Sequence, residues 1–565
     1  HTYHTKFPPE AIETLIEYYT NEGDIVLDPF CGSGMTGVAA LKLNRRVILI
    51  DLSPAATFIA YNYLTPIDPN RYRSAVLTIS DLCRELEYKL YGTKCRKCGK
   101  IVPMEYMVWS YGVICYECHK EFILWDVCRD ERPTTKESRI KTTFQCPYCS
   151  SVLIKRRLTR TVLYPVLIGY KCCGSRLKET TAKPDEFDLQ KIKQIEEEGI
   201  PPELWYPKDK LPDGVNTRQV IHHGMDSVDK LYTTRALWAM AALWNIAKRW
   251  PDNEVRMKLL FTLTSLYKRV TKLAEFRFWG GSGNTPNLNP PMIVNEQNVF
   301  KAFRRKAISR IKSILNYLRK ARFIRNDNLF RISTQDATCL RQIPDNSIDY
   351  VFTDPPYGAN INYSEMNFIW ESWLQVFSDP SHEVVINRVR RKTLADYQIL
   401  MTKALKEVFR VLKPGHWMTM AFHNSSADVW NAILQSITDA GFTIMGAQVL
   451  NRQQATFKQL VSSNTVGHTI ILHCRKCDSS FNSYRAKIKS EQTRDIEKFI
   501  EDRVAKYPER YLRKFRHVKR RPELDYSAIY SEWLCERIKS GKPVSLDFKT
   551  FRKVAKSILV EVGVF

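Results

Sequence analysis

Residues 24–37, DIVLDPFCGSGMTG, constrain the fold of this chain more than any other stretch. A short apolar run ends in an acid, Asp28. It turns at once through glycines into the helical stretch VAALKLN. A second apolar run, RVILID, ends in a second acid, Asp51. Strand, tight turn, helix and strand in that order open a doubly wound α/β sheet, whose ligands sit at the carboxyl ends of its strands. The expected fold is Rossmann-like.

The alternation stops near residue 69 and resumes near 326. LFRI (329–332) and IDYVFT (348–353) read as strands, LKEVFRVLKPG as a helix closed by its Pro-Gly, HWMTMAF as a strand, and FTIMGAQ and GHTIILHC as a final pair. One sheet is thus split into halves, 1–68 and 326–478. Between them the sequence predicts a cysteine-rich ribbon (69–180) and a helical insert (181–325). The insert contains TRALWAMAALWNIAKRW, MKLLFTLTSLYKRVTKLAEF, a Gly/Pro/Asn-rich loop at 278–292 and the basic amphipathic stretch VFKAFRRKAISRIKSILNYLRKA. Residues 479–565 read as basic and helical, with the densest positive run at 510–521, RYLRKFRHVKRR.

The turn Gly32-Ser33-Gly34-Met35-Thr36-Gly37 matches G-x-G-x-x-G, and Asp51 stands 19 residues past Gly32, so a dinucleotide oxidoreductase is one reading. Asp28 points elsewhere. A carboxylate just before the turn repels a pyrophosphate and suits a ligand carrying a positive amine. Asp51 suits a ribose diol as hydrogen-bond acceptor. Asp336, in STQDAT after LFRI, is a third strand-end acid, able to take the exocyclic amine of an adenine. Amine, ribose and adenine together describe S-adenosylmethionine.

IDYVFTDPPYG is an apolar strand ending in Asp354, Pro355, Pro356 and Tyr357, aimed at the same crevice. The exocyclic amine of a base is a poor nucleophile, because its lone pair is delocalised into the ring. Two acceptors on its hydrogens localise that pair. The Asp354 carboxylate supplies one, and the Pro355 carbonyl, on a backbone proline holds rigid, supplies the other. Tyr357 offers a flat face to a base taken out of its stack.

With these residues in view, the chain resembles the amino-methyltransferases that act on adenine N6 or cytosine N4. Their cofactor motif DPF-x-G-x-G stands at Asp28–Gly34 and their catalytic DPPY at Asp354–Tyr357. The resemblance implies a mostly parallel seven-stranded sheet and a cofactor site at Asp28, Pro29, Phe30, Gly32, Gly34, Asp51, Leu52, Asp336 and Ala337. It also places Lys6, Phe7 and Pro8 of TKFPPEAIETLI near the methionine moiety, and makes the helical insert 181–325 the candidate target-recognition region. DPPYGANINYSEMNFIWESWL, with paired Cys-x-x-Cys in the insert, looks like the bacterial and archaeal adenine-specific DNA methylases that carry a zinc ribbon. That narrower likeness implies duplex DNA as substrate, adenine N6 as the atom methylated, a restriction-modification or phage-defence setting with room for a partner restriction or defence subunit, and a cytoplasmic location. Two alternatives stand beside it: an RNA methyltransferase with the same tetrapeptide, and a catalytically inactive zinc-dependent DNA-binding subunit.

Fifteen cysteines are present, eight of them between Cys95 and Cys173 in pairs. Paired spacing with no secretory signal reads as structural metal rather than disulfides. Cys95, Cys98, Cys115 and Cys118 are expected to close one tetrahedral zinc site. Cys146, Cys149, Cys172 and Cys173 form a less regular second set, in which Cys128 could stand in for one of the last pair. Cys31, Cys474 and Cys477 read as structural. A formal charge of +26 favours a polyanionic partner, most simply nucleic acid. No apolar run is long enough to span a membrane, and HTYHTKFPPE does not read as a signal peptide.

Overall fold

The structure is a computed structural model. It describes the chain apart from residues 2, 5, 131–137, 173–178, 279–281, 284–287, 321–328, 451–467, 478–491, 507–510, 512–523 and 562–565. Two compact units are present.

One unit comprises Thr5–Leu64, Ile324–Ser364 and Ser378–Phe565. Its sheet has seven strands: β1 (Ile25–Asp28), β2 (Arg46–Asp51), β3 (Phe330–Thr334), β4 (Ile348–Thr353), β5 (Leu412–Phe422), β6 (Thr443–Leu450) and β7 (Thr469–Arg475). They lie in the order β3-β2-β1-β4-β5-β7-β6. β7 runs antiparallel to both its neighbours, and the pairings among β1 to β5 are parallel. Strand order therefore reverses between β1 and β4, at the switch point where such sheets bind ligands. Leu27 of β1 stands opposite Val351 of β4. All six residues of β4 are buried, as a central parallel strand requires.

The helices of this unit include α1 (Pro9–Tyr19), α2 (Met35–Lys42), α3 (Pro54–Leu64), α4 (Leu394–Val411) and α5 (Ala427–Asp439). α4 starts on a capping box, Thr393 with Asp396, and ends directly in β5. The Lys-Pro-Gly expected to close this helix instead lies inside β5. Register against β4 slips between Ile348/Leu412 and Tyr350/Trp417, so the extra residues bulge out. A bulge is where a central strand tolerates proline.

Helices Gln492–Phe499, Tyr526–Lys539 and Phe548–Glu561 add Ile496, Ile529, Trp533 and Phe551 to the buried cluster that holds Met418 and Leu472 of the sheet. These C-terminal helices share the core of the sheet. The basic run 510–521 lies outside the described residues except for Tyr511.

The other unit comprises His1–His4, Thr65–Phe323 and Glu365–Phe377. Helices Thr234–Lys248 and Val299–Lys320 fall within the expected helical stretches, whereas the one expected over 257–276 runs Asn253–Thr264, followed by a short helix Tyr267–Val270 and a strand Glu275–Phe276. The unit also holds a second sheet that the sequence reading did not anticipate. Tyr106–Ile114 pairs antiparallel with Thr159–Lys171 on one side and with Ile293–Gln297 on the other. Pro165 obscured the long strand, and the structure absorbs it at a register shift between Pro165 and Leu167. Because Ile293–Gln297 completes the sheet begun at Tyr106, no seam falls at 180/181. Inside this unit the Glu296 carboxylate accepts two hydrogen bonds from buried Arg235 (2.9 and 2.8 Å) and one from Trp109 Nε1 (2.6 Å). A buried charge pair of this kind needs such full satisfaction. In the tract 278–292, Ser282–Gly283 pairs with Glu275–Phe276. Among the described residues no helix is long and apolar enough to cross a membrane.

Candidate active site and metal centres

At the tip of β1, Asp28 is 3% exposed. Its carboxylate accepts the Thr36 hydroxyl at 2.5 Å and the Phe30 amide at 3.1 Å, which ties the start of α2 back to the strand. Burial pushes this carboxyl up to about 7, and the nearby Asp354 and Asp51 carboxylates push the same way. At the tip of β2, the Asp51 carboxylate accepts the Gly32 amide at 2.8 Å and the Ser53 amide at 2.9 Å. Burial raises it to about 6.

The turn between them needs its glycines. Gly34 has φ +76°, and a Cβ there would lie 2.6 Å from the Cβ of Ala60 on α3. Gly32 has φ +49°. Cys31 is buried, and burial raises its thiol well above the ordinary range, so it is a poor nucleophile. Pro29 is buried beside Asp28, while Phe30 and Leu52 are half-buried.

Beyond β4, the Tyr357 hydroxyl donates to the Asp354 carboxylate. The Tyr357 ring meets Phe422 edge-on at 5.3 Å and His423 at 6.0 Å. The loop backbone is clamped at two carbonyls. Tyr397 Oη on α4 donates to Pro356 O at 2.9 Å, and Asn424 Nδ2, just past β5, donates to Tyr357 O at 3.0 Å. Pro355 is buried.

Phe7 is buried and packs edge-on against Phe352 of β4 at 5.4 Å; Pro8 caps α1. Lys6 donates to the Tyr63 hydroxyl at 2.7 Å and lies over that ring. Asp336 is already engaged. Its oxygens accept the Thr338 amide (2.8 Å) and hydroxyl (2.6 Å), and His382 Nδ1 lies 2.7 Å away. An adenine amine would have to displace one of these. Ala337 beside it is buried.

The cysteines group differently from the sequence expectation. Sulfurs of Cys115, Cys118, Cys146 and Cys149 lie within 4.8 Å of one another, and a second group holds Cys95, Cys98 and Cys172. Cys173 lies outside the described residues. The reason is register. Cys95 precedes the strand Tyr106–Ile114, and Cys115 follows it. Nine residues of strand span about 30 Å. Thr159–Lys171 runs back antiparallel, with Thr159 opposite Ile114 and Gly169 opposite Tyr106, and so returns Cys172 to the Cys95 end. Cys95 and Cys115 therefore cannot share an ion.

Three turns repeat one geometry. The amides of Cys95, Cys115 and Cys146 donate to the carbonyls of Lys100, Lys120 and Ser151 (2.9, 3.1 and 2.9 Å). Gly99, His119 and Ser150 carry φ of +71°, +59° and +60°. Sulfur separations are 3.9 Å (Cys115–Cys149), 3.7 Å (Cys118–Cys146) and 3.5 Å (Cys95–Cys172). Tetrahedral Zn–S bonds of about 2.3 Å put sulfurs about 3.8 Å apart. The donor sets fit that ion. Cys128 is buried in the apolar core beside them, outside both groups, and Cys474 is buried within β7.

The profile of the family described as DNA methylase (N6/N4) matches residues 1–62, which hold β1, the glycine turn and β2. The Type II methyltransferase M.MjaII of Methanocaldococcus jannaschii is 33% identical over 90 residues, covering 16% of this chain and 17% of that protein. M.XycI of Xanthomonas campestris is 41% identical over 71 residues, covering 13% and 24%. The likeness to N6/N4 DNA methylases thus falls on the segment that holds the cofactor turn.

The matched stretch spans about a fifth of those relatives' own length. The Thermus thermophilus protein TTHA0409, solved with S-adenosyl-L-methionine, aligns over 41% of this chain and 93% of its own at 13% identity, with a TM-score of 0.16. Within this chain, Asp28, Asp51 and Asp354 are brought to neighbouring strand tips. Thr36, Tyr397 and Asn424 are further site residues that sequence reasoning missed. Asn424 carried a usable signal, since it follows a strand tip as Asp354 does.

Proposed function

We propose that this chain is an S-adenosylmethionine-dependent DNA methyltransferase that methylates the exocyclic amine of an everted base, adenine N6 in first place. The observation that carries the reading is the set of acids at adjoining strand tips, Asp28 buried and Asp51 and Asp354 half-buried. Asp28 and Asp51 are held with raised pKa values by burial, and the groups acting on Asp28 include further carboxylates. A crevice built this way favours a cationic ligand. The fit to the cofactor is residue by residue: Asp28 for its amine, Asp51 for its ribose hydroxyls, and the Gly32–Gly34 turn for close backbone approach. S-adenosylmethionine supplies the methyl group when bound.

The remaining chemistry belongs to the chain. Asp354 and the Pro355 carbonyl accept the two hydrogens of the base amine and localise its lone pair. The nitrogen that gains a methyl group sheds a proton, and Asp354 is the acceptor beside it. Tyr357 stacks the base, with its loop held by Tyr397 and Asn424. The preference for adenine over cytosine N4 rests on the DPPY form of the motif. The seven cysteines of the two described groups, with Cys173, are assigned to two structural zinc ions.

The test is methyl transfer from labelled S-adenosylmethionine to duplex DNA, with the product base read by nucleoside mass spectrometry. N6-methyladenine is expected, and Asp354→Ala should abolish it. N4-methylcytosine would change the base assigned. Label in bulk tRNA but not in DNA would overturn the reading.

A further inference from the structure

Residues 139–178 contain nine Lys or Arg and no Asp or Glu, in a chain that averages about one acid per nine residues. The segment begins with the hairpin Thr143–Gln145/Val152–Ile154, which carries the Cys146–Cys149 turn at its tip. Phe144, Cys146 and Leu153 point into the apolar core of the ribbon. Thr143, Gln145 and Val152 alternate with them and are exposed, Val152 at 65%. One face of the hairpin is therefore fixed by packing and sulfur clustering, and the other is presented outward.

Four cations flank the open end of the hairpin, Lys141 before it and Lys155, Arg156 and Arg157 after it. Ile154 pairs with Thr143, and the Lys155 amide then donates to Thr142 O at 2.9 Å. Lys155, Arg156 and Arg157 form a short 3-10 turn directly after the ladder, and Lys141 stands two residues before it. Lys141, Arg156 and Arg157 are exposed and Lys155 is half-exposed. Ion pairs of this unit fall elsewhere, among them those on Lys89, Arg96, Arg235, Lys301 and Arg304. Among the described residues none involves these four. Arg139 is left out of the group, because it stands opposite Asp130 in its own ladder. At the tip, Tyr148 is 56% exposed, and the Lys120 ammonium lies 5.2 Å from its ring centre.

We infer that this hairpin is a duplex-DNA backbone clamp, with Lys141, Lys155, Arg156 and Arg157 contacting phosphates. Four like charges close in sequence at one end of a hairpin repel one another, and among the described residues none of them is held in an ion pair. A duplex carries one negative charge per about 1.7 Å of axis and is the densest natural complement. The choice of DNA rests on the methyltransferase reading above. The contacts are to backbone and carry no sequence preference. They add an anchor in the ribbon, whereas the sequence reading assigned recognition to residues 181–325.

The test is binding of a 30-base-pair random duplex by fluorescence anisotropy between 50 and 200 mM salt. It compares wild type with the combined Lys141→Gln, Lys155→Gln, Arg156→Gln, Arg157→Gln variant. Each lost phosphate contact removes about 0.9 from the slope of log K against log salt, so the slope should fall by about 3 to 4. Affinity should drop more than a hundredfold at 150 mM, equally for unrelated sequences. Metal content and melting temperature serve as folding controls, and Arg156→Lys with Arg157→Lys should retain binding. An unchanged slope in a folded variant overturns the clamp. So does tighter binding to RNA duplex or to an acidic polypeptide than to DNA. Methylation by wild type with no slope change in the variant sinks the clamp alone. DNA binding without methylation, with the slope lost, sinks the enzyme reading alone.

Discussion

The hydroxyl of Tyr357 donates to the carboxylate of Asp354, so the two residues assigned to the base hold each other before any base arrives. A base amine must take over the acceptor that the hydroxyl uses, and the hydroxyl must let go.

Tyr357→Phe keeps the stacking face and releases Asp354, so its methyl-transfer rate should stay within a few-fold of wild type. Tyr357→Ala loses the stack, which is worth about 1–3 kcal/mol per base, and should lose between about fivefold and a hundredfold. Steady-state rates on the same duplex check this. Equal losses in the two variants would mean that the hydroxyl, not the ring, is the working part.

The acids at β1 and β2 make cofactor binding pH-dependent. Asp28 at about 7 and Asp51 at about 6 lie above the ordinary carboxylate value, so the ligand-free fold favours their neutral forms. That stabilisation is complete below about pH 4 and is lost as pH rises through 6 and 7. The melting temperature of the ligand-free protein should therefore lose this contribution between about pH 4 and 7. A cationic ligand favours the charged forms, so S-adenosylmethionine affinity should climb over the same interval, at most about tenfold per pH step for each group. Asp28→Asn should flatten the upper part of both curves. Calorimetric titrations at four pH values, with melting scans, read both.

The regrouped cysteines predict a pattern of metal loss. Cys115→Ser and Cys146→Ser should each release one zinc per chain, and the double variant should release the same one. Cys95→Ser with Cys115→Ser should release two. Elemental analysis of the purified variants decides it. Two ions lost from the Cys115/Cys146 pair would restore the pairing first read from the sequence.

Gly34 and Gly415 share φ +76° but not their surroundings. A Cβ on Gly34 meets Ala60 backbone and side chain, whereas one on Gly415 meets only the Arg475 guanidinium, at 3.8 Å. Gly415→Ala should cost about 1–2 kcal/mol, the conformational penalty alone. Gly34→Ala should cost more and should also weaken cofactor binding, because α2 must move off α3. Denaturant unfolding and ligand titration separate the two effects.

The site was legible where local pattern decides position. A parallel sheet gathers its strand tips, so apolar runs ending in Asp28, Asp51 and Asp354 announced a shared crevice before any geometry was known. Asp336 shows the limit: its strand tip was identified, but its carboxylate turns to Thr338 and His382, a local choice that sequence spacing does not reveal. The cysteine sets were hidden for another reason. Pairs adjacent in sequence look like natural partners, yet which turns meet depends on how Tyr106–Ile114 pairs with Thr159–Lys171. Long-range register is invisible to local pattern. Asn424 and Tyr397 act on the catalytic loop through backbone carbonyls, contacts that leave no motif.

β1 lies between β2, which follows it at once, and β4, whose Val351 reaches Leu27 from 324 residues further on. During synthesis the first half-sheet leaves the ribosome with both flanks bare, β2 awaiting β3 and β1 awaiting β4, and it stays so until the whole interrupting segment has been translated. At about 5–20 residues per second that wait lasts roughly 15–65 seconds. An apolar edge left open for that long invites chaperones and mispairing. Early capture of metal by the intervening ribbon, on this view, shortens the list of things still unfolded when β4 finally arrives.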